Sequence, residues 1–185
     1  GLSPRVHDVG CGPAKQRGAI GVDQFDMPGV DVVCDHNGRW PFEDGSFDHV
    51  VFPHSIVHLN SLGGALRGAP RVVRKGGTIE IISPHFSSDN AFTDPTMNFS
   101  TGYRTMDYYC ANGSMIYGYY GQLGLRICEQ RIHLYRSEPK SGAQRLVAAL
   151  YWPLDALVNA FPRVYEKFFC FILRGNEVRF VLEAE

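Results

Sequence analysis

The chain has 185 residues, a hydrophobic content of 44% and a formal net charge of −1. That length suits a single globular domain over residues 1–185. With no block of Lys or Arg, the footprint of a duplex nucleic-acid binder is missing, and no apolar stretch reaches transmembrane length, so neither nucleic acid nor membrane is expected as a partner.

The N-terminal residues have neither a basic start nor an apolar h-region, so no signal peptide is expected. The chain starts without Met a few residues before its first apolar run, which fits a trimmed or processed sequence. Val6–Val9, Ala19–Val22, Val30–Cys34, Phe47–Phe52 and Thr78–Ile82 are short apolar runs rich in β-branched residues. They end at Gly10, Asp23, Asp35, Pro53 and Ser83-Pro84. Near-continuous apolar character predicts strands buried on both faces of a parallel sheet.

Between the fourth and fifth runs, residues 55–74 place Ile56, Leu59, Leu62, Leu66, Ala69 and Val73 near a 3.6-residue period, predicting a helix. Gly63, Gly64, Gly68 and Pro70 oppose it, so an irregular start and a kink or break before Pro70 are expected. Arg74–Gly77 closes that helix with basic residues and glycine. Residues 83–121 are rich in Ser, Thr, Asn, Gly and Tyr, and a polar loop of that length is usually functional.

Leu125–Tyr135 alternates as a strand does. Residues 143–173 read as one or two helices broken near Pro153 and Pro162. Phe161, Val164, Phe168 and Ile172 share one stripe there, read as a core helix with a lid or dimer surface as the competing reading, and Phe168–Leu173 likewise reads as core. Val178–Glu183 alternates cleanly, as an edge or antiparallel strand does. The succession predicts an α/β sandwich around one mixed sheet. Cys11, Cys34, Cys110, Cys128 and Cys170 are odd in number and contain no CxxC, so reduced thiols in a cytoplasmic protein are expected rather than a disulfide framework or zinc knuckle.

Chemistry concentrates at the strand ends. Gly10 and Gly12 permit a sharp turn and bare backbone against a ligand. Asp23, ending the second run, is placed to take two ribose hydroxyls, and Asp35, followed by His36 and Asn37, to take an adenine amino group. A dinucleotide fingerprint would need glycine where Lys15 stands and an acid about 20 residues on. Asp23 comes only 13 after Gly10, and the nine residues Gly10–Gly18 leave no room for a full helix to hold a pyrophosphate. His54 and His58 lie four apart, but Ser55 stands where a zinc protease needs Glu and no third ligand is evident, so no metal is expected.

These motifs resemble the class I S-adenosylmethionine-dependent methyltransferases of the type 11 kind. "HDVGCG" (Asp8, Gly10, Gly12), "GVD" (Asp23), Trp40–Leu59 and Arg71–Pro84 carry the resemblance, which covers about residues 5–85. It implies a Rossmann-like three-layer sandwich with sheet order 3-2-1-4-5-7-6, here with a shortened first crossover. Residues 1–84 would then bind the cofactor and 85–185 supply the acceptor side. S-adenosyl-L-methionine would have its methionine part against Gly10, Cys11 and Gly12, in a loop ordered by Asp8. Asp23 would hold the ribose, Asp35 with His36 or Asn37 the adenine edge, and Pro53 and His54 would flank the sulfonium.

On the acceptor side His85 is the leading base candidate; the competing reading is a loop histidine bonding backbone. His58, Tyr103 and Arg104 are candidates to line the acceptor pocket, although packing on the sheet accounts equally for the tyrosines. The expected function is methyl transfer to a small polar or sugar-like acceptor. A non-catalytic nucleoside-binding protein of the same fold and an NAD-binding oxidoreductase are the competing readings.

Overall fold

The computed structural model describes residues 4–115, 123–135 and 141–185, Ala143 by its backbone alone. The end of the expected loop, residues 116–121, lies outside these. Seven strands form one sheet in the order β3-β2-β1-β4-β5-β7-β6. They are β1 (Val6–Val9), β2 (Ile20–Asp23), β3 (Val32–Val33), β4 (Phe47–Pro53), β5 (Val73–Pro84), β6 (Leu125–His133) and β7 (Glu177–Ala184). The first five pair in parallel, and β7 runs antiparallel between β5 and β6.

Helix α1 (Leu62–Val72) lies between β4 and β5, α2 (Asn90–Thr93) in the loop after β5, and α3 (Gly142–Ala160) with α4 (Pro162–Phe168) before β7. The shortening expected of the first crossover extends further, for no helix stands between β1 and β4. In the register of β4, β5 and β7, Val50–Ile79–Leu182 and Phe52–Ile81–Phe180 form adjacent rows on one face, all buried. Ala65, Leu66 and Ala69 of α1, Val158 of α3 and Tyr165 of α4 join the same core cluster.

The opposite face carries a polar row instead. His49 contacts Glu80 at 3.5 Å, and Arg179 donates to Glu80 at 2.5 Å and to Glu129 at 3.0 Å. The His49 contact leads the causes, with Arg179, that hold the Glu80 carboxyl down at about 2.

Two expectations about helices need correcting. Helix α1 runs through Pro70 without a break; it begins late, after a 3-10 turn at Ile56–His58, and is capped by Ser61, whose side chain accepts from Gly64 N. Its glycines have a packing use: a Cβ at Gly68 would sit 2.9 Å from the Trp40 ring. Helix α3 likewise passes Pro153 unbroken. It starts at a capping box of Ser141 and Gln144 and stops before Pro162, which opens α4.

The tail also departs from expectation. Phe161, Val164, Phe168 and Ile172 are exposed rather than core, and within Phe168–Leu173 only Cys170 is fully buried. All five cysteines are free thiols. Among the described residues no helix is long and apolar enough to cross a membrane.

Candidate functional site

Parallel strands bring their carboxyl ends to one edge, and a cleft of about 570 Å³ lies there. That is ample for a nucleoside-sized ligand, since small-molecule sites usually enclose about 300–1,000 Å³. Gly10, Asp23, Asp35, His36, Asn37, Pro53 and His54 line it, as does His58. The expected cofactor residues therefore converge, with three set behind the wall.

Asp8, Cys11 and Gly12 are those three, and each shapes the β1–β2 loop. Asp8 accepts from Gln16 N at 2.7 Å. Burial raises its carboxyl pKa, against the opposing hydrogen bond from Gln16. Cys11 is buried with its sulfur beneath the loop, 2.8 Å from where a Cβ on Gly21 would stand. Gly12 N donates to Asp23 Oδ2 at 3.0 Å, and Phe25 N donates to Oδ1 at 3.1 Å. The carboxylate is thus held by two amides at the cleft wall, each oxygen keeping a lone pair for a ligand hydroxyl.

Gly10 sits at φ 64°, and a Cβ there would meet Ser55 Cβ at 2.6 Å. A Gly10→Ala variant should lose about 2–3 kcal/mol, from left-handed strain plus overpacking. Gly12, at φ 51° with nothing within 4 Å, carries the strain alone, so Gly12→Ala should cost about 1–2 kcal/mol. Urea titration of both variants checks the difference; equal losses would mean that the Ser55 contact relaxes freely.

The β3 end forms a tight polar turn. Asp35 Oδ1 accepts from Asn37 N and Nδ2, and Asn37 Oδ1 accepts from Asn60 N at 2.7 Å. His36 is buried, its Nε2 3.3 Å from Nε2 of His7.

The β4 end carries the most unusual backbone. His54 has φ 61°, the sole positive value at a non-glycine among the described residues. Such conformations cost energy and gather at functional sites. Its Nε2 lies 3.4 Å from Oε2 of Glu177, a buried carboxylate at the start of β7. His54 also lines a second cavity of about 570 Å³ with His58, Pro84, Asp94 and Met97, and so stands at the junction of the two. The outer wall of this double cleft is the loop after β5. Asn98 N donates to Val57 O at 2.8 Å, and Thr96 Oγ1 joins His58 Nδ1 and Asp94 Oδ1.

The remaining acceptor candidates lie elsewhere. His85 is fully buried, with Nδ1 2.8 Å from Ser87 Oγ and Nε2 3.2 Å from Glu166 Oε1, so both ring nitrogens are engaged inside the fold. Arg104 is bound to Asp107 and Ser114. Tyr103 borders a separate shallow cavity beside Asp107 and Gln130. Sequence reasoning missed Phe25, Ser55 and Glu177, and pointed to Asp94 and Thr96 only through the polar loop that holds them.

A glycine loop after β1, an acid ending β2 and a cleft over the carboxyl ends of β1–β4, in a sheet of this order, are the arrangement that the resemblance to class I methyltransferases implies. The chain's residues 7–81, fewer than half of its length, match the family model described as "Methyltransferase domain". Its fold is shared with a SAM-dependent methyltransferase of Archaeoglobus fulgidus (20% identity, 98% of this chain and 86% of that one, TM-score 0.56). A SAM-dependent methyltransferase of Thermotoga maritima is similarly alike (15% identity, 99% and 82%, TM-score 0.58). The cyclase SpnF has the fold too (15% identity, 98% and 74%, TM-score 0.57), so likeness of fold does not fix the reaction. No curated protein matches the chain.

The residues present fit S-adenosylmethionine. Ser55 Oγ is buried without a partner at the cleft wall beside Gly10, an orphan that a polar ligand would satisfy. Asp23 offers two acceptor lone pairs, and exposed Phe25 offers a ring face alongside.

Proposed function

We propose that the chain binds S-adenosylmethionine in the cleft at the ends of β1–β4 and transfers its methyl group to a small polar acceptor held in the adjoining cavity. When bound, the cofactor supplies an electrophilic methyl on a sulfonium. The observation that carries the reading is His54, strained, backed by a buried carboxylate and shared by both cavities.

Asp23 takes the ribose hydroxyls, and Asp35 with Asn37 borders the base end of the cleft. Glu177 Oε2, 3.4 Å from His54 Nε2, biases that ring nitrogen towards carrying the proton. That leaves Nδ1 as the basic nitrogen to take a proton from the acceptor as it attacks. The walls made by Pro53, His58 and Asp94 align the acceptor for an in-line approach. The polar lining of the second cavity supports a hydroxyl- or amine-bearing acceptor.

The test is calorimetric titration with S-adenosylhomocysteine and NAD side by side, followed by release of S-adenosylhomocysteine from S-adenosylmethionine with a pool of polar metabolites. Binding of the former alone, with turnover, is expected. A folded chain that binds neither, or NAD instead, ends the reading. His54→Ala should lower kcat about a hundredfold, as loss of a general base does, while S-adenosylhomocysteine affinity changes little. Undiminished turnover would take His54 out of the chemistry and leave its strain a structural feature.

A further inference from the structure

Helices α3 and α4 leave a large apolar face uncovered. Leu146, Leu150, Leu154, Leu157 and Phe161 recur at spacings of four, four, three and four, which aligns them on one side of α3. That side faces outward: Leu146, Leu150, Leu157 and Phe161 are each 60–64% exposed. The stripe runs into a cleft of about 360 Å³ between the two helices and the turn after them, where Phe161, Val164, Phe169 and Ile172 converge. Phe171 projects beside it, 71% exposed.

The charges of this segment are one-sided. Between Ser141 and Asn176 the cationic residues are Arg145, Arg163, Lys167 and Arg174, all exposed. The acids are Asp155 and Glu166, and both turn inward. Asp155 accepts from Leu134 N at 2.8 Å, and Glu166 accepts from Tyr103 N at 2.5 Å and meets His85. Lys167 Nζ lies 5.2 Å from the centroid of the Phe168 ring, so cation and apolar surface are neighbours.

We propose that this face of α3, α4 and the following turn lies on an anionic lipid surface, with its aromatic and Leu side chains below the headgroups and its Arg and Lys among them. Exposed apolar side chains, phenylalanine rings among them, and basic residues on one amphipathic unit are what such interfacial seating requires. The face is poorly suited to a second copy of the chain, because a two-fold contact would bring the same cations together. The expectation of no membrane partner rested on the lack of a transmembrane-length run, and a helix lying in the interface needs none. The proposal stands apart from the methyl-transfer reading, since none of its residues lines the double cleft.

A reporter on the stripe makes the test direct: a chain with Trp152→Phe and Leu150→Trp carries its one exposed tryptophan on that face, while Trp40 is buried at 2% exposure. Mixed phosphatidylcholine–phosphatidylglycerol vesicles should shift the emission to the blue and carry the chain up a flotation gradient. Phosphatidylcholine vesicles alone should do so far less. Replacing Arg163, Lys167 and Arg174 together with Gln should weaken the association about a hundredfold, given the usual attraction per basic residue. In the parent chain Leu150→Glu should abolish flotation; each variant is at exposed positions, and an unchanged melting curve shows that it folds. No shift with either vesicle overturns the proposal. So does equal binding to both vesicles, or a dimer in sedimentation that already shields the introduced tryptophan at position 150 without lipid.

Discussion

Replacing Asp23 with alanine is expected to weaken S-adenosylhomocysteine binding by about 3–4 kcal/mol, a few hundredfold or more in Kd, because two hydrogen bonds to a charged acceptor are lost. The effect has two parts. One is the loss of the carboxylate to the ribose. The other is local: Gly12 N and Phe25 N both donate to this side chain, so its removal unties the glycine loop from β2. Asp23→Asn separates them. Its amide oxygen still accepts from one backbone group, but the charge is gone, so affinity should fall while the melting temperature stays closer to the parent. Calorimetry with a parallel circular-dichroism melt reads both. Unchanged affinity in a folded Asp23→Ala chain would remove Asp23 from the site and, with it, the account of why the acid follows Gly10 so closely.

The legible parts of this molecule are those whose cause is local. β1, β2 and β4 were visible as apolar runs because burial on the sheet demands it along consecutive residues, and β7 as an alternating strand. β3 shrank from five residues to two because little packs on it; Val33 is exposed. The strand order came with the family resemblance, for nothing local makes β7 enter between β5 and β6. Pro70 and Pro153 misled for one reason: propensity priced each proline without the packing that holds α1 and α3 through it.

The Phe-rich tail misled differently. Hydrophobicity states a preference for burial but does not name the partner, and here Phe168, Phe171 and Ile172 stay 61%, 71% and 83% exposed. At the site, the residues adjoining strand ends were found from their strands. Glu177 was not, because its contact with His54 spans 123 positions and exists only through the β5–β7 pairing. His85 was placed correctly after β5, yet its side chain turns inward to Ser87 and Glu166.

Acid should destabilise the fold through a pair of histidines under the cofactor cleft. His7 and His36 are buried, and both lie in an aromatic cluster with Trp40; His7 also meets Phe42 and Phe47. That cluster fills the side of β1 where the short crossovers leave no helix. Burial, aided by the neighbouring His36, lowers the His7 pKa to about 3. Burial lowers that of His36 to about 4, against the pull of Asp23 and Asp35. In the unfolded chain both titrate near 6.5. Above that pH neither state binds the protons and the pair contributes its full stability. As pH falls from 6.5 towards 4, the unfolded chain takes up protons that the folded chain refuses, so stability falls with pH through that window. Between pH 7 and pH 5 the two together should remove about 3–4 kcal/mol. Asp8, whose carboxyl burial raises, works in the opposite direction and tempers the loss. His7→Phe keeps a ring in the cluster and deletes one titrating group. It should therefore recover about half of the acid loss, even though His36 forfeits its partner at every pH. Urea midpoints at the two pH values measure this. A parent chain equally stable at both, or a His7→Phe chain with the full acid loss, would mean that the ring pair does not refuse protons and that the aromatic cluster admits water.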